Sequence, residues 1–395
     1  MKKTNWQIKK LGEIFLIERG GSPRPIESFL TKEENGINWI KIGDTKDITK
    51  YIYKTAEKIK PEGLKKSRLV QEDDFILSNS MSFGRPYIMK TSGAIHDGWL
   101  VLRKKLPDID KDYFYYLLSS SLVFQQFDRL ASGSTVRNLN VQLVSSVLVP
   151  FPPLPEQKRI VKILDEVFEE VGKAKGNAEK NLRNSRELFE AYLQSVFENK
   201  GEGWEPKMLE DVCDIQSKLI DPRKTEFLDL THIGAGNIEI KTGNLVNLKT
   251  SKEEKLISGK FRFDNSMVLY SKIRPYLMKV ARPDFQGLCS ADIYPLFPRK
   301  KLMTRDYLFY LLLTPRFTEY AIKGSARAGM PKVNRDHLFA FNLFLPSLSE
   351  QKAIVKKLDA LSEETKKLEE VYKKEIADLK ELKKSVLQKA FRGEL

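Results

Sequence analysis

Glu156-Gln157-Lys158-Arg159-Ile160-Val161-Lys162-Ile163-Leu164-Asp165 returns 194 positions later as Glu350-Gln351-Lys352-Ala353-Ile354-Val355-Lys356-Lys357-Leu358-Asp359. Eight of the ten positions are identical; only Arg159/Ala353 and Ile163/Lys357 differ. Tandem duplication explains this better than chance, and such a repeat governs how the rest of the chain is read. The copy spreads both ways. Asp112-Tyr113-Phe114-Tyr115-Tyr116-Leu117-Leu118 returns as Asp306-Tyr307-Leu308-Phe309-Tyr310-Leu311-Leu312, and Leu193-Gln194 and Phe197 return as Leu387-Gln388 and Phe391. Near the start of each half, Trp6 and Leu11 correspond to Trp204 and Leu209, at an offset of 198. A fixed frame with a variable insert is what two readers specialised for different targets require.

Both copies of the motif open long amphipathic stretches. Over 155–198 the apolar positions Ile160, Leu164, Val167, Val171, Ala174 and Ala178 alternate four and three apart, then shift register to Leu182, Phe189, Tyr192 and Val196. This is a coiled-coil seam with one stutter, weakened locally by Gly172 and Gly176. The second copy, 349–392, places Ile354, Leu358, Leu361 and Leu368 on its stripe. Each helix is expected to be about 65 Å long. Ile160, Leu164, Val167, Ile354, Leu358 and Leu361 are the candidate seam residues. Each stripe outruns a domain of this size, so pairing of the helices with each other is expected over packing on their own lobes. A pseudo-two-fold relation would make them antiparallel and the layout nearly circular.

The remaining sequence reads as two mixed α/β units, giving an α+β chain: a globular domain over 1–153, a helix over 154–200, a second globular domain over 201–346 and a second helix over 347–395. Strands are expected at Ile37–Ile42, Phe75–Leu77, Trp99–Leu102 and Val144–Val149, and helix over Asp112–Leu130. In the second unit, strands are expected at Leu228–Gly234, Met267–Tyr270 and Leu338–Leu345, and helix over Asp306–Ile322.

The net charge of +15 is not evenly spread. Residues 1–150 hold 24 Lys+Arg against 17 Asp+Glu, and 201–346 hold 23 against 17, whereas 151–200 hold 9 against 9 and 347–395 hold 12 against 10. The excess lies in the globular units, the footprint of lobes that face a polyanion. Cys213 and Cys289 form neither a CxxC pair nor a disulfide framework, which fits a reducing cytoplasm. The first residues lack a signal-peptide core, and the longest apolar run, Leu338–Leu345, is too short to span a bilayer.

Catalytic patterns are missing: no Walker A loop, GxSxG, HExxH or GxGxxG, and no N/D-P-P-aromatic tetrapeptide. His96, His232 and His337 are scattered without metal spacing; His232 is the one best placed for a ligand. His96-Asp97 resembles a dyad, but adjacent residues of a strand point to opposite faces. DNA-binding signals are present, though each is weak on its own. Arg85 and Arg274, each followed by Pro-Tyr, fall in matching loops, and an Arg forks onto guanine. Asn79, Asn138 and Asn237 can pair with adenine by the same logic. Arg137, Arg327 and Lys332, in small-residue loops, suit phosphates, which position without specifying. Tyr87, Ser134, Lys272, Tyr276 and Asn334 share these loops and complete the candidate set.

The order is variable domain, PLPEQKRIVKILDEV, long helix, variable domain, PSLSEQKAIVKKLDAL and long helix, with Arg-Pro-Tyr and Gly-Ser-Thr-Val loops. It resembles the specificity subunit of type I restriction-modification systems over essentially the whole chain. The second copy departs at Ser347-Leu348-Ser349 and at Arg327-Ala328-Gly329-Met330. The resemblance implies two target recognition domains that read a split, asymmetric sequence in double-stranded DNA, held apart by an antiparallel coiled coil. It implies two modification subunits that supply S-adenosylmethionine chemistry, and restriction subunits, two where present, that supply ATP and Mg chemistry. No cofactor is expected in this chain. An architectural DNA-bridging protein would also show two basic lobes on a rod. A self-contained nuclease or methyltransferase would need the motifs that are missing.

Overall fold

The computed structural model describes residues 6–46, 48–80, 83–131, 138–326 and 329–395. The chain divides into two compact units: one runs to Ala178 and includes Lys374–Leu395, the other is Glu179–Lys373. In the first unit the central sheet has the order β2 (Phe15–Arg19), β11 (Trp99–Lys104), β8 (Phe75–Ser78), β9 (Pro86–Met89), β5 (Tyr51–Ile52). Successive strand side chains point to opposite faces, and here both faces are apolar. Phe75, Leu77, Leu100 and Leu102 face α1 (Leu11–Ile14), α2 (Lys111–Leu118), α3 (Ser121–Ala131) and α4 (Val141–Ser146). Ile76, Trp99 and Val101 face a second core. That core is shared with a second sheet, of order β3 (Leu30–Thr31), β6 (Glu57–Ile59), β4 (Ile37–Ile40), β10 (Gly93–Ile95), β7 (Arg68–Val70). The antiparallel ribbon of β1 (Gln7–Lys10) and β12 (Leu148–Phe151) leads into α5 (Leu154–Glu198).

The second unit repeats the plan. Its central sheet is β14 (Cys213–Ile215), β22 (Ile293–Pro298), β19 (Val268–Ser271), β20 (Val280–Ala281). The second sheet is β15 (Leu219–Ile220), β18 (Lys260–Phe263), β21 (Gly287–Cys289), β16 (Thr231–Ile233), β17 (Lys249–Thr250). The ribbon is β13 (Glu205–Met208) with β23 (Asn342–Leu345), and the helices are α6 (Leu209–Val212), α7 (Arg305–Leu312), α8 (Pro315–Lys323), α9 (Arg335–Phe339) and α10 (Leu348–Arg392). Four strands match in order and direction: β6-β4-β10-β7 against β17-β16-β21-β18. The fifth does not, because β3 joins the β6 edge whereas β15 joins the β18 edge.

Four sequence expectations need correction. Asp112–Leu130 is two helices, broken where the Ser120 hydroxyl donates to Leu117 O at 2.6 Å. Asp306–Ile322 is also two, because Pro315 cannot donate and Thr314 caps α8 by accepting from Phe317 N–H. Val144–Val149 opens as helix, since Asn140 caps α4. Leu338–Leu345 likewise opens as α9, capped by Asn334, before β23 begins.

The long helices are 45 residues each. Within each unit they run antiparallel. In the first, Lys383 Nζ lies 4.5 Å over the Phe168 ring and Arg159 donates to Leu395 O. In the second, Arg186 pairs with Glu369 at 2.9 Å. Their stripes are not reserved for each other. Ile160 and Leu164 are buried in the first unit's core beside Ala390 and Phe391. Leu358, with Ile354 against it, is buried in the second unit's core beside Leu193 and Phe197. Val167 and Leu361 are half-buried. The expected preference for helix pairing over packing on the helix's own lobe is therefore only half the answer.

The repeated glutamine shows why. Gln157 is fully buried; its Oε1 accepts the Asp110 N–H at 2.8 Å, and its Nε2 donates to Asp108 O at 3.1 Å and Pro152 O at 2.9 Å. Gln351 makes the same three bonds, accepting from Thr304 N–H at 2.8 Å and donating to Leu302 O at 2.8 Å and Pro346 O at 2.9 Å. Asp110 and Thr304 are the N-caps of α2 and α7. One amide thus locks the start of each long helix to the start of the helix packed under the central sheet. Eight residues on, Asp165 accepts from the Tyr116 hydroxyl and Asp359 from the Tyr310 hydroxyl.

Leaving a buried donor or acceptor unpaired costs about 1–3 kcal/mol per group. Gln351→Leu strands one N–H and two carbonyls, so it is expected to lower the unfolding free energy by about 3 kcal/mol in urea denaturation. The neighbouring exposed Lys352→Ala is expected to change it by less than about 0.5 kcal/mol.

Candidate nucleic-acid interface

In the second unit several loops meet at one end of the paired sheets. Ser290 N–H donates to Ile233 O at 3.0 Å, and Lys272 N–H to Asp292 O at 3.0 Å. Val333 N–H donates to Lys272 O at 2.8 Å and Arg274 N–H to Pro331 O at 2.9 Å. Lys272, Arg274, Tyr276 and Lys332 are thereby gathered. Arg274 and Met278 both have φ 49°, left-handed for residues with a side chain, and bracket the 3-10 turn Pro275–Leu277. Such strain is held only where the surroundings fix it. It carries the exposed Arg274 guanidinium and the exposed Tyr276 ring at the turn.

The cations here crowd one another. Lys272 Nζ sits 4.9 Å over the Tyr294 ring. Its burial, and next the charge of Lys332, hold its pKa below the ordinary lysine value, with Asp292 acting the other way. Arg335, which sequence reasoning missed, adds to the repulsion. Its only signal was its place after the capping Asn334, which fixes where α9 begins. An arriving phosphate would relieve this repulsion.

At the corresponding end of the first unit, Arg85 is exposed, its guanidinium 5.5 Å over the Tyr87 ring. Asn138 is exposed nearby in sequence to Leu139, whose N–H donates to Asn79 O at 2.8 Å. His96 and Asp97 lie in the turn between β10 and β11 rather than in a strand, and His96 Nε2 is 3.0 Å from Asp97 Oδ1. The rule that separates neighbours in a strand therefore does not apply to them. His96 Nδ1 accepts the Gly98 N–H at 2.9 Å, so the proton belongs on Nε2, facing the carboxylate. Asp97 also accepts from the Ser22 hydroxyl at 2.8 Å and lies 3.8 Å from Arg24.

Several sequence candidates are structural instead. Asn79 is 1% exposed and donates to Asp97 O at 2.8 Å, which locks two loops together and takes its amide away from DNA. Tyr87 is fully buried, edge-on to Trp99, so it serves as a platform under Arg85 and not as a contact. Asn237 is spent on Gly234 N–H at 2.8 Å, Val246 O at 3.0 Å and Asn247 O at 3.1 Å. Asn334 accepts the His337 N–H at 2.7 Å as the cap of α9. His232 is buried, with Nδ1 2.8 Å from Glu254 Oε2; burial lowers its pKa against the pull of Glu254. Ser134, Arg137 and Arg327 lie outside the described residues.

The two Arg-Pro-Tyr triplets are not equivalent. Ser78 N–H donates to Arg85 O at 3.1 Å, whereas the matching Ser271 N–H donates to Lys279 O at 3.0 Å. Lys279 therefore stands where Arg85 stands, and Arg274 belongs to the loop before it. The resemblance was one of composition.

Among the described residues no group of three or more His, Cys, Asp or Glu side chains could hold a metal, and no helix is long and apolar enough to cross a membrane. What the two sheet ends offer is exposed guanidinium and ammonium groups on fixed loops, suited to phosphates and base edges.

The family model described as the type I restriction modification DNA specificity domain matches residues 3–179 and again 201–378. The EcoDI type I restriction enzyme specificity subunit of Escherichia coli is 29% identical over 320 residues, covering 73% of this chain and 70% of its own. The MjaVIII specificity subunit of Methanocaldococcus jannaschii is 22% identical over 373 residues, covering 84% and 81%. A chain solved in work on the assembly and conformational transition of a type I R-M system superimposes with a TM-score of 0.78 at 20% identity, over 99% of this chain and 98% of its own. The HsdS subunit from Thermoanaerobacter tengcongensis superimposes with a TM-score of 0.63 at 21% identity, over 100% and 98%. With the domain matched twice along one chain, once in each unit, this protein belongs to the type I restriction-modification DNA specificity family, whose part is recognition and not catalysis.

Proposed function

We propose that the chain reads a split, asymmetric sequence in double-stranded DNA, each unit recognising one half. The observation that carries this is the duplicated frame with different side chains at the same sheet end: Arg85 over Tyr87 in one unit, Arg274 and Tyr276 on a strained turn in the other. An architectural DNA-bridging protein has no use for that difference, since phosphates look alike at every site. In this reading Arg274 reads guanine, Arg85 reads a base edge in the other half, and Lys272 and Lys332 hold phosphates. Asn138 stays a candidate for adenine. Paired α5 and α10 set the gap between half-sites.

Two modification subunits dock on the chain and bring S-adenosylmethionine. The target adenine leaves the stack to reach their pocket. Restriction subunits, where present, bring ATP and Mg, and the assembly works in the cytoplasm. Two copies of one partner suit a feature of the repeat. Lys158 and Lys162, identical to Lys352 and Lys356, are exposed in both copies, where the fold itself gives no reason for identity.

Co-expression with the modification subunit encoded beside it, followed by genome-wide mapping of N6-methyladenine, is expected to return two half-sites with a fixed gap. No methylation from a partner that is active and bound would turn the reading towards DNA bridging. In the same survey, Arg274→Ala is expected to relax one half-site by about 1–3 kcal/mol and leave the other as it was. Equal loss at both halves would count against the assignment.

A further inference from the structure

The Arg24 side chain is 83% exposed. Exposed arginines are common and by themselves mean little. This one stands on a loop held at several points. Gly20 N–H donates to Trp99 O at 2.9 Å and Gly21 N–H to Ile95 O at 3.1 Å. The Ser22 hydroxyl donates to Asp97 Oδ1 at 2.8 Å. Pro23 and Pro25 flank Arg24, so the backbone on both sides has little freedom left. Asp97 is itself fixed. Its carbonyl accepts from Asn79 Nδ2 at 2.8 Å and from Arg19 Nε at 3.3 Å, and its carboxylate lies 3.0 Å from His96 Nε2.

These bonds also fix where Arg24 stands. Trp99 opposes Ser78, whose N–H donates to Arg85 O at 3.1 Å, so Gly20, Trp99, Ser78 and Arg85 lie in one row across the end of the central sheet. Asp97 is in the turn between β10 and β11 at that same end. Arg24 therefore shares the sheet end of the exposed Arg85. The Asp97 carboxylate lies 3.8 Å from the guanidinium, close enough to hold it by charge and too far to take a hydrogen bond from it. An exposed pair of this kind contributes little to stability. What it does is orient a fork of N–H donors and leave them open to a ligand. The second unit has no such device. There Ser290 N–H donates to Ile233 O as His96 N–H donates to Ile40 O here, and Ser290 Oγ accepts the Asp292 N–H as His96 Nδ1 accepts that of Gly98. Ser290 thus matches His96, and Ala291, which has no carboxylate, matches Asp97. The arrangement belongs to what differs between two units of one frame, as the reading of different half-sites requires. A phosphate contact asks only for charge. A buttressed guanidinium suits a pair of acceptors at fixed spacing, which the guanine edge presents in the major groove as O6 and N7.

We propose that Arg24 reads a guanine in the half-site of the first unit, with Asp97 as its positioning residue. The proposal rests on the reading of the chain as a DNA specificity subunit. Its test uses the chain in complex with its modification subunits and the mapped target. Each guanine of the target is replaced in turn by 7-deazaguanine, which lacks the N7 acceptor. The wild-type complex is expected to lose about tenfold in affinity at the guanine that Arg24 reads, the worth of one hydrogen bond to a charged donor. Arg24→Ala is expected to lose at least as much on unmodified DNA and nothing further at that one position, while a guanine read by Arg85 stays sensitive. Arg24→Lys is expected to keep the salt slope and lose discrimination at the same guanine, because an ammonium is a point charge and not a fork. Asp97→Asn keeps an acceptor for Ser22 and removes a negative charge, which by itself would favour DNA of any sequence. It is expected instead to lower discrimination at that guanine alone. The proposal falls if Arg24→Ala weakens target and random DNA alike, as the loss of a phosphate contact would, or if it stays as sensitive to 7-deazaguanine as the wild type at every position. The role of Asp97 falls if Asp97→Asn discriminates as the wild type does. A wild-type complex that holds target and random DNA equally would instead overturn the parent reading, and this one with it.

Discussion

One buried amide in each half, Gln157 or Gln351, has to satisfy one N–H and two carbonyls at once. Among neutral side chains of that size only an amide carries two N–H donors beside an acceptor. A carboxylate would face two carbonyl oxygens, and a leucine would strand all three groups. The constraint propagates. It sets where the long helix begins and joins it to the cap of the helix below. With that start fixed, Ile160 and Leu164 turn into the core of the first unit, and Ile354 and Leu358 into that of the second, each within its own unit. The identity of the repeated motif is largely the identity of this joint.

A second joint is built twice with different parts. In the first unit Lys50 lies 2.7 Å from Asp112 and about equally over the rings of Tyr51, Tyr115 and Tyr116. Burial opposes its charge, but Asp112 and Tyr51 still raise its pKa. In the second unit Arg282 bridges Asp306 at 3.0 Å and Asp359 at 2.5 Å and lies over Phe309 and Tyr310. Asp112 and Asp306, Tyr115 and Phe309, and Tyr116 and Tyr310 occupy repeated positions; Tyr51 and the two cations do not. Lys50 enters just ahead of β5, a strand with no counterpart in the second unit, and Arg282 follows directly on β20. A half-buried acidic and aromatic cage needs a cation and accepts one from either direction. This explains how the frame survives while its inserts are replaced.

The same physics decides what was legible in the sequence. The repeat, the long helices and the class of fold were readable because burial at fixed spacing leaves a periodic trace. The expected single helix over 112–130 failed because a serine hydroxyl that turns back onto its own carbonyl leaves no such trace. Candidate contacts fared worse. Asn79, Asn237 and Asn334 have the chemistry to pair with adenine, yet each amide is spent on the protein's own backbone. Polar loop residues are wanted equally by loops and by ligands, and composition cannot separate the two. Arg335 could be found only once the cap of α9 was fixed.

The divergence of the two units follows a rule that this arrangement makes plain. The helices under the central sheet, the helix joint and four strands of the second sheet are shared; what differs lies at the sheet edges, β5, β3 and β15, and in the loops. The fifth strand illustrates it, with β3 on one edge in the first unit and β15 on the opposite edge in the second. An edge strand adds or leaves without disturbing a core it does not enter, because only one side of it is hydrogen-bonded. Leu219 of β15 lies against Gly259, just ahead of β18. The corresponding edge of the first unit ends at β7, whose N-terminal flank is the 3-10 segment Pro61–Lys66. Exchange of that edge replaces the segments beside it and leaves the joint to the long helix untouched. A protein that must change what it recognises without changing what it docks needs that separation.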